Sequence, residues 1–324
     1  MNRKGKMKIL FICAALVLAL VILYSGLQLL ESTVFFPGQE GGTENTKWIV
    51  RDGVRYYPRQ DIVVVLVMGI DREGVVTGGD ADRGHTADML ALLIFDEKAK
   101  TSELLLLNRD TMVMMNGLDA LGREDGQYYA QLALSHAYGT GGADSCENVR
   151  KTVSDLLYGI HIDYYVSMNM GGIATLNDAV GGVTVQVTDD FSQIDPTIGM
   201  GEVTLNGQQA YNFVRSRKGL GDQMNVSRME RHKTYFNGLV DALQSNLEGS
   251  IDFAVSLYEE ISPYIVTDCS VNALTGMLER YADYDLVEIV SPEGENTRGK
   301  QYMEFYVDEE KLDALILRLF YAPK

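Results

Sequence analysis

The sequence predicts an α/β sandwich around a central mixed sheet, and three observations carry that expectation. The first is the stretch from Val63 to Asp110, where apolar runs end in charge. Val63 to Ile70 stops at Asp71, the next run begins at Asp88, and the one after it stops at Arg109-Asp110. Uninterrupted β-branched runs of this kind suit strands covered on both faces. The second is alternation: strand-like runs interleave with apolar residues at helical spacing, which favours helices layered on a sheet over an all-β fold. The third is the scarcity of proline after Pro58, which leaves no sign of a second domain boundary. Ligands of such sheets collect at the carboxyl ends of strands, so chemistry is expected where Asp71, Asp88 and Arg109 gather.

Taken in order, the chain opens with Arg3, Lys4, Lys6 and Lys8 ahead of an uncharged run from Ile9 to Leu30. That run is close to the roughly 20 residues that cross a bilayer. Basic residues before the span keep 1–8 in the cytoplasm. The run exceeds a usual signal-peptide core and no small-x-small cleavage site follows, so an uncleaved single-pass anchor over 9–30 is expected. Everything after about Glu31 then lies outside the cytoplasm, tethered to the cell membrane. Residues 31–60 read as a polar stalk followed by an entry hairpin, Trp48 to Tyr57, turning at Asp52-Gly53.

The main domain is expected over 61–245. Apolar spacing predicts helices at Ser145 to Tyr158, Gly171 to Val180, Gln208 to Val214 and Ser227 to Asn246, and strands at Tyr164 to Met168 and Val183 to Val187. Residues 246–324 are expected to pack on the same domain, with helices at Phe253 to Ile261, Val271 to Tyr281 and Glu309 to Phe320 and a strand at Tyr302 to Tyr306.

Composition excludes one broad class. The chain has 324 residues, 46% hydrophobic and 23% charged, with a formal net charge of -17. A core is affordable, but a general basic surface for nucleic acid is not present. Any phosphate binding must be local. Cys146 and Cys269 sit in amphipathic segments and are read as small buried side chains rather than a disulfide. His85, His136, His161 and His232 show no metal spacing.

The local cations are conspicuous. Arg215, Arg217, Arg228 and Arg231 fall within one short stretch, with Asp222 between the pairs and His232 at its end. In a helix starting near Ser227, Arg228, Arg231 and His232 share one face at its electropositive start. Guanidinium forks match phosphate oxygens two at a time. Asp71 and Asp88 are the counterpart: magnesium typically takes one or two carboxylates together with phosphate oxygens. Taken singly, each of these residues would read as a cap, a turn former or a solvated charge. Asp110 is expected to orient Arg109 as a salt-bridge partner, and His161 to be structural. His136 and His232 are open to either a phosphate contact or a capping role.

The chain resembles the LytR–CpsA–Psr family of bacterial cell-wall proteins. The resemblance is carried by the basic start and anchor, Gly69-Ile70-Asp71, Asp88-Met89-Leu90, Asn108-Arg109-Asp110-Thr111, Gly141-Gly142, Ile162 to Val166, Ala179 to Val183, Leu205-Asn206-Gly207, and Val214 to Arg217 followed by Arg228 and Arg231. It implies a single α/β/α sandwich of that family's kind. It also implies a Mg²⁺-dependent phosphotransferase that moves a glycopolymer, such as teichoic acid or capsule polysaccharide, from a polyprenyl-pyrophosphate carrier to peptidoglycan, in a Gram-positive type of bacterium.

Carried over by position, Asp71 and Asp88 would hold the metal. Arg109, Arg215, Arg217 and Arg228 would grip the phosphates, with Arg83, Asp222, Arg231 and His232 also at the pyrophosphate. Asp88, Arg109, Arg215 and Arg217 would be catalytic, and Asp88 or Asp222 is the expected general base. The chain departs from the family pattern at Thr86, where an arginine is usual and Arg83 is the nearest, at Ala133, where a lysine is usual, and at His232, where a glutamine is usual. A hydrolase acting on the same lipid and a lipid-binding module without turnover stay open as alternatives. Direct DNA binding is disfavoured for an acidic extracytoplasmic domain.

Overall fold

A strand as apolar as Ile62–Ile70 must be covered on both faces, and this one lies inside a six-stranded sheet. The computed structural model describes residues 48–77, 83–216, 220, 225–247, 251–270, 273, 277, 280, 281 and 284–323. The expected anchor and stalk, Arg217, Asp222 and most of the helix expected at 271–281 lie outside those residues. Among the described residues no helix is long and apolar enough to cross a membrane.

The described chain enters through β1 (Ile49–Arg51) and β2 (Val54–Pro58), joined at Asp52-Gly53. Both turn residues have positive φ, 51° and 78°, the backbone form that fits the twist of a tight hairpin. Next come β3 (Ile62–Ile70), β4 (Ala87–Asp96) and β5 (Thr101–Leu107), an antiparallel meander, and the hairpin β6 (Met112–Leu118) and β7 (Glu124–Gln131). Helices α1 (Leu134–Ala137) and α2 (Gly142–Leu156) lead into β8 (Tyr164–Asn169), which returns parallel to β3. Then follow α3 (Gly171–Ala179), β9 (Val183–Val187), β10 (Gly201–Leu205), α4 (Gly207–Arg215) and the long α5 (Asn225–Leu247). The remainder holds α6 (Ile251–Ile261), β11 (Ile265–Thr267), β12 (Asp285–Val290), β13 (Gly294–Arg298), β14 (Met303–Val307), α7 (Glu309–Phe320) and β15 (Tyr321–Pro323).

The central sheet has the order β11-β8-β3-β4-β5-β12 and is mixed, as the sequence predicts. Alternate residues of its strands serve two cores. Val64, Leu66, Met68 and Ile70 pack with Val149 and Val153 of α2 and Leu312 and Ile316 of α7. Val65, Ala91, Leu93 and Phe95 face the other way, toward Cys269, Met277 and Tyr281. A third cluster joins α3 to α6 with β9 and β10 around Phe191 and Phe213. Cys146 and Cys269 are buried free thiols, each pushed up to about 12 by burial.

Both edges of the sheet come from the C-terminal part of the chain. β12 pairs parallel with β5, and β11 pairs antiparallel with β8. The sequence predicts neither strand. β11 has three residues, too few to show a period, and β12 is an edge strand with Val287 exposed, so pairing rather than pattern makes them strands. The hairpin β6–β7 was missed for the same reason: most of β7 is exposed and polar.

One irregularity positions the site. In the β3–β4 pair Gly69 faces Met89 and Ile70 faces Ala87, so the register skips Asp88. A bulge of this kind leaves one residue unpaired and re-aims its side chain. Ala87 thereby stays with the α2-facing core, while Asp88 and Met89, although adjacent, both line the same groove.

The loop after Asp71 is fastened by its backbone. Asp71 N–H donates to Thr86 O at 2.9 Å, Val76 N–H to Pro263 O at 2.7 Å, and Asn169 Nδ2 to Gly74 O at 2.7 Å. Gly171, at the start of α3, lies so close that an added Cβ would be 1.9 Å from Glu73 O. Replacing Gly171 with Ala should therefore lower stability by about 1–3 kcal/mol, the usual cost of forcing atoms into a filled space. Thermal unfolding checks this, and an unchanged midpoint would show that the loop is not pressed against α3.

Candidate functional site: a charged mouth on an apolar groove

β3 and β8 end, and β4 begins, at one end of the sheet, which brings Asp71, Asp88 and Asn169 to the same side of the molecule. Arg109 follows β5 and reaches the same end. The bulged Asp88 is the hub. Its Oδ1 accepts from Arg109 Nη1 and from Thr86 Oγ1 (2.9 Å), and its Oδ2 accepts from Arg228 Nη1 at 3.0 Å. Arg228 Nη2 also donates to the Asp88 carbonyl at 3.3 Å. Thr86, standing where the family pattern has an arginine, thus serves as a neutral donor to the hub. Asp110 is an ion-pair neighbour of Arg109, 3.4 Å from its Nε without a hydrogen bond to that atom, and accepts from Gln131 Nε2 at 2.9 Å. Ala133 holds the same segment through its backbone, N–H to Arg109 O at 3.0 Å.

Arg215, at the last turn of α4, forms a second cluster. Its Nη1 lies 2.8 Å from Glu73 Oε1 and its Nη2 3.6 Å from Asp71 Oδ1. The guanidinium also contacts the Tyr211 hydroxyl and sits 5.2 Å from the centre of that ring. Tyr211 donates to Glu73, and its hydroxyl, pushed up to about 12 first by burial and then by Glu73, stays protonated.

The two clusters flank a groove between one face of the sheet and the helices α3 and α5. The empty space among its lining atoms, open solvent at the mouth included, is about 930 Å³. Val67, Gly69, Met89 and Met168 form its floor and Ile173, Leu176, Tyr235, Phe236 and Leu239 its walls, while Asp88, Arg215, Arg228 and His232 are its polar members. An apolar trench with guanidinium groups at one end suits a ligand with a long hydrocarbon tail and an anionic head.

The arginines predicted for phosphate divide. Arg215 and Arg228 line the groove. Arg231 does not: it is buried, with Nη1 on Asp189 at 2.6 Å, Nε on Phe213 O at 3.0 Å and Nη2 on Ser216 O. These contacts pin the end of α4 to α5. Arg83 is half-buried beside the undescribed residues 78–82. His232 lines the groove and donates from Nε2 to Val214 O at 2.9 Å, so Nδ1 is the nitrogen without the proton. Sequence reasoning gave no role to Glu73 or Tyr211. Glu73 and Arg215 are 142 positions apart, and no local pattern links them.

Among the described residues no group of three or more His, Cys, Asp or Glu side chains gathers for a metal. A magnesium ion does not need one, since waters and phosphate oxygens complete its shell. Asp71 and Asp88 are hard oxygen donors at one end of the sheet, with side-chain exposures of 44% and 15%. Their chemistry fits that ion, and Asp71 is the more accessible of the two.

Two outcomes follow from this geometry. Arg231→Ala should cost roughly 3–5 kcal/mol in chemical denaturation, because it strands Asp189 and two carbonyls, whereas Arg215→Ala at the half-exposed mouth should cost far less. Equal losses would contradict the division. Burial also keeps two imidazoles neutral: His136, donating to His85 O at 2.7 Å, is pushed down to about 4, and the groove-lining His232 to about 3. The unfolded chain then binds the extra protons, so stability is complete above about pH 6.5 and falls as pH drops from there toward 4. His136→Asn, which keeps a donor near the Nδ1 position, should flatten part of that fall; an unaltered slope would remove His136 from the account.

The LytR_cpsA_psr family model matches residues 39–320 of the chain. The chain is similar to TagU of Bacillus subtilis (strain 168), named a polyisoprenyl-teichoic acid–peptidoglycan teichoic acid transferase. The identity is 27% over 183 residues, covering 56% of this chain and 53% of that protein, so the chain spans about half the length of that relative. TagU of Halalkalibacterium halodurans, which bears the same name, is 27% identical over 298 residues, covering 90% and 88% of the two chains. The crystal structure of protein gbs0355 from Streptococcus agalactiae has the same fold, with a TM-score of 0.66 at 24% identity over 80% of this chain and 86% of that one. With a family match that extends over nearly all of the described fold, the chain belongs to the LytR_cpsA_psr family.

Proposed function

We propose that this protein is a membrane-anchored, extracytoplasmic phosphotransferase that moves a glycopolymer from polyprenyl pyrophosphate to peptidoglycan. The observation that carries the reading is the groove: an apolar trench whose mouth presents Arg215, Arg228 and Asp88. A polyprenyl tail suits the trench, and its pyrophosphate suits the mouth. The names borne by the TagU relatives supply the donor and acceptor classes.

In this mechanism an acceptor hydroxyl attacks the phosphorus that bears the sugar, the bond from that phosphorus to the bridging oxygen breaks, and polyprenyl phosphate leaves, the hydroxyl proton passing to the departing phosphate or to solvent. Arg215 and Arg228 hold the phosphoryl oxygens and oppose the charge that develops on them. Arg109, with Asp110 as an ion-pair neighbour, fixes Asp88, and Asp88 in turn fixes Arg228. Such a site works by positioning and charge neutralisation more than by covalent chemistry. Magnesium, held by Asp71 and Asp88, would supply further neutralisation of the pyrophosphate. With three donors on its carboxylate, Asp88 serves better as an anchor than as a base. The apolar run at residues 9–30 would keep the groove within reach of lipid-borne donor.

The test is turnover by the full chain in detergent, given a synthetic polyprenyl-pyrophosphate saccharide and peptidoglycan fragments, with and without Mg²⁺. Metal-dependent release of polyprenyl phosphate with sugar joined to the acceptor is expected, reduced roughly 10- to 100-fold in Arg215→Ala, in line with the loss of a charged hydrogen-bonding partner. Release without a joined product would make the protein a hydrolase. Lipid binding without release would make it a carrier-binding module.

A further inference from the structure

Resting on the pyrophosphate reading of the groove mouth, we propose that Glu73 is a further residue of that site, a carboxylate that occupies Arg215 until the ligand's head group displaces it. Arg215 is the more exposed of the two groove arginines, and its Nη1 is already on Glu73 Oε1 at 2.8 Å. The same oxygen accepts from the Tyr211 hydroxyl. An acid on this guanidinium holds it extended toward the mouth when no ligand is present. A phosphate arriving at Arg215 meets that negative charge, and the two anions cannot share the fork without repulsion.

The backbone of Glu73 is not what moves. It is trapped between the fastening of Gly74 to Asn169, that of Val76 to Pro263, and the close approach of Gly171. The side chain is different: it is 61% exposed and can rotate into solvent. Displacement is then a change of side-chain torsions on a fixed loop, with Tyr211 left as a neutral donor for whatever replaces the carboxylate. The head group must outcompete a carboxylate for Arg215, which favours a multiply charged pyrophosphate over a weaker anion. Glu73 returning to Arg215 would also oppose retention of a less charged product.

The experiment measures calorimetric binding of farnesyl pyrophosphate, a short prenyl pyrophosphate, to the full chain in detergent at low ionic strength. The variants are Glu73→Gln, Arg215→Ala and the double substitution. Gln keeps an oxygen for Tyr211 and Arg215 and removes only the charge. Glu73→Gln should tighten binding about two- to fivefold, the scale of an exposed ion pair, with the gain shrinking as salt is added. The gain should vanish in the Arg215→Ala background, which a merely structural effect of position 73 would not require. Equal or weaker binding by Glu73→Gln, or a gain that survives loss of Arg215, overturns the displacement while leaving the pyrophosphate reading intact. Absence of binding by both the unaltered chain and Glu73→Gln overturns the pyrophosphate reading and the displacement together.

Discussion

The structure of this site depends on one residue out of register. The bulge at Asp88 takes its carboxylate out of the β3–β4 ladder and turns it toward Arg109 and Arg228. Arg109 leaves the end of β5, and Arg228 stands in the first turns of α5. The carboxylate therefore ties the sheet to the long helix that roofs the groove. A half-buried charge left alone in such a place is costly, and two guanidinium partners with a threonine hydroxyl are what make it tolerable. Were Asp88 in register, alternation would point it toward the apolar α2 core with Leu90 and Leu92.

This constraint makes the proposed anion site compatible with an acidic protein. The net charge of -17 would repel phosphates at most of the surface. At the groove mouth, however, arginines are concentrated against a low-dielectric apolar wall, where their field is screened less than on an open surface. The two arginines that line the groove already have acidic partners, Arg228 on Asp88, which Arg109 also pairs from outside the groove lining, and Arg215 on Glu73 and Asp71. The site is thus close to balanced before any ligand arrives, and under the proposed function a pyrophosphate would exchange one set of anions for another.

Much of this was legible in the sequence, and the boundary of legibility has physical causes. Strands buried on both faces announced themselves, because an unbroken apolar run has few other uses; Ile62–Ile70 and Ala87–Asp96 are such runs. Amphipathic helices such as Glu309–Phe320 were equally plain. The edge strands β11 and β12 were not, since their identity comes from the neighbour they pair with. At the site, the charged residue types and their order pointed to Asp71, Asp88, Arg109, Arg215 and Arg228. The bulge was invisible, because register belongs to two strands at once. Glu73 was invisible because its partner Arg215 is far along the chain.

Arg228 and Arg231 show why residue type alone cannot assign a role. They stand three positions apart at the start of one helix, both buried, both in contact with carboxylates. Three residues turn the helix by somewhat less than a full circle, so the two side chains meet different neighbours. Arg228 meets the bulged Asp88 beside the groove. Arg231 meets Asp189 and the carbonyls of Phe213 and Ser216, around the residues that close α4. Since α4 also carries Arg215, the buried Arg231 acts on the mouth without entering it: it holds the helix end from which Arg215 reaches Glu73 and Asp71. The cation cluster in the sequence is thus one cluster by spacing and two by function, one part facing the ligand and the other keeping that face in place.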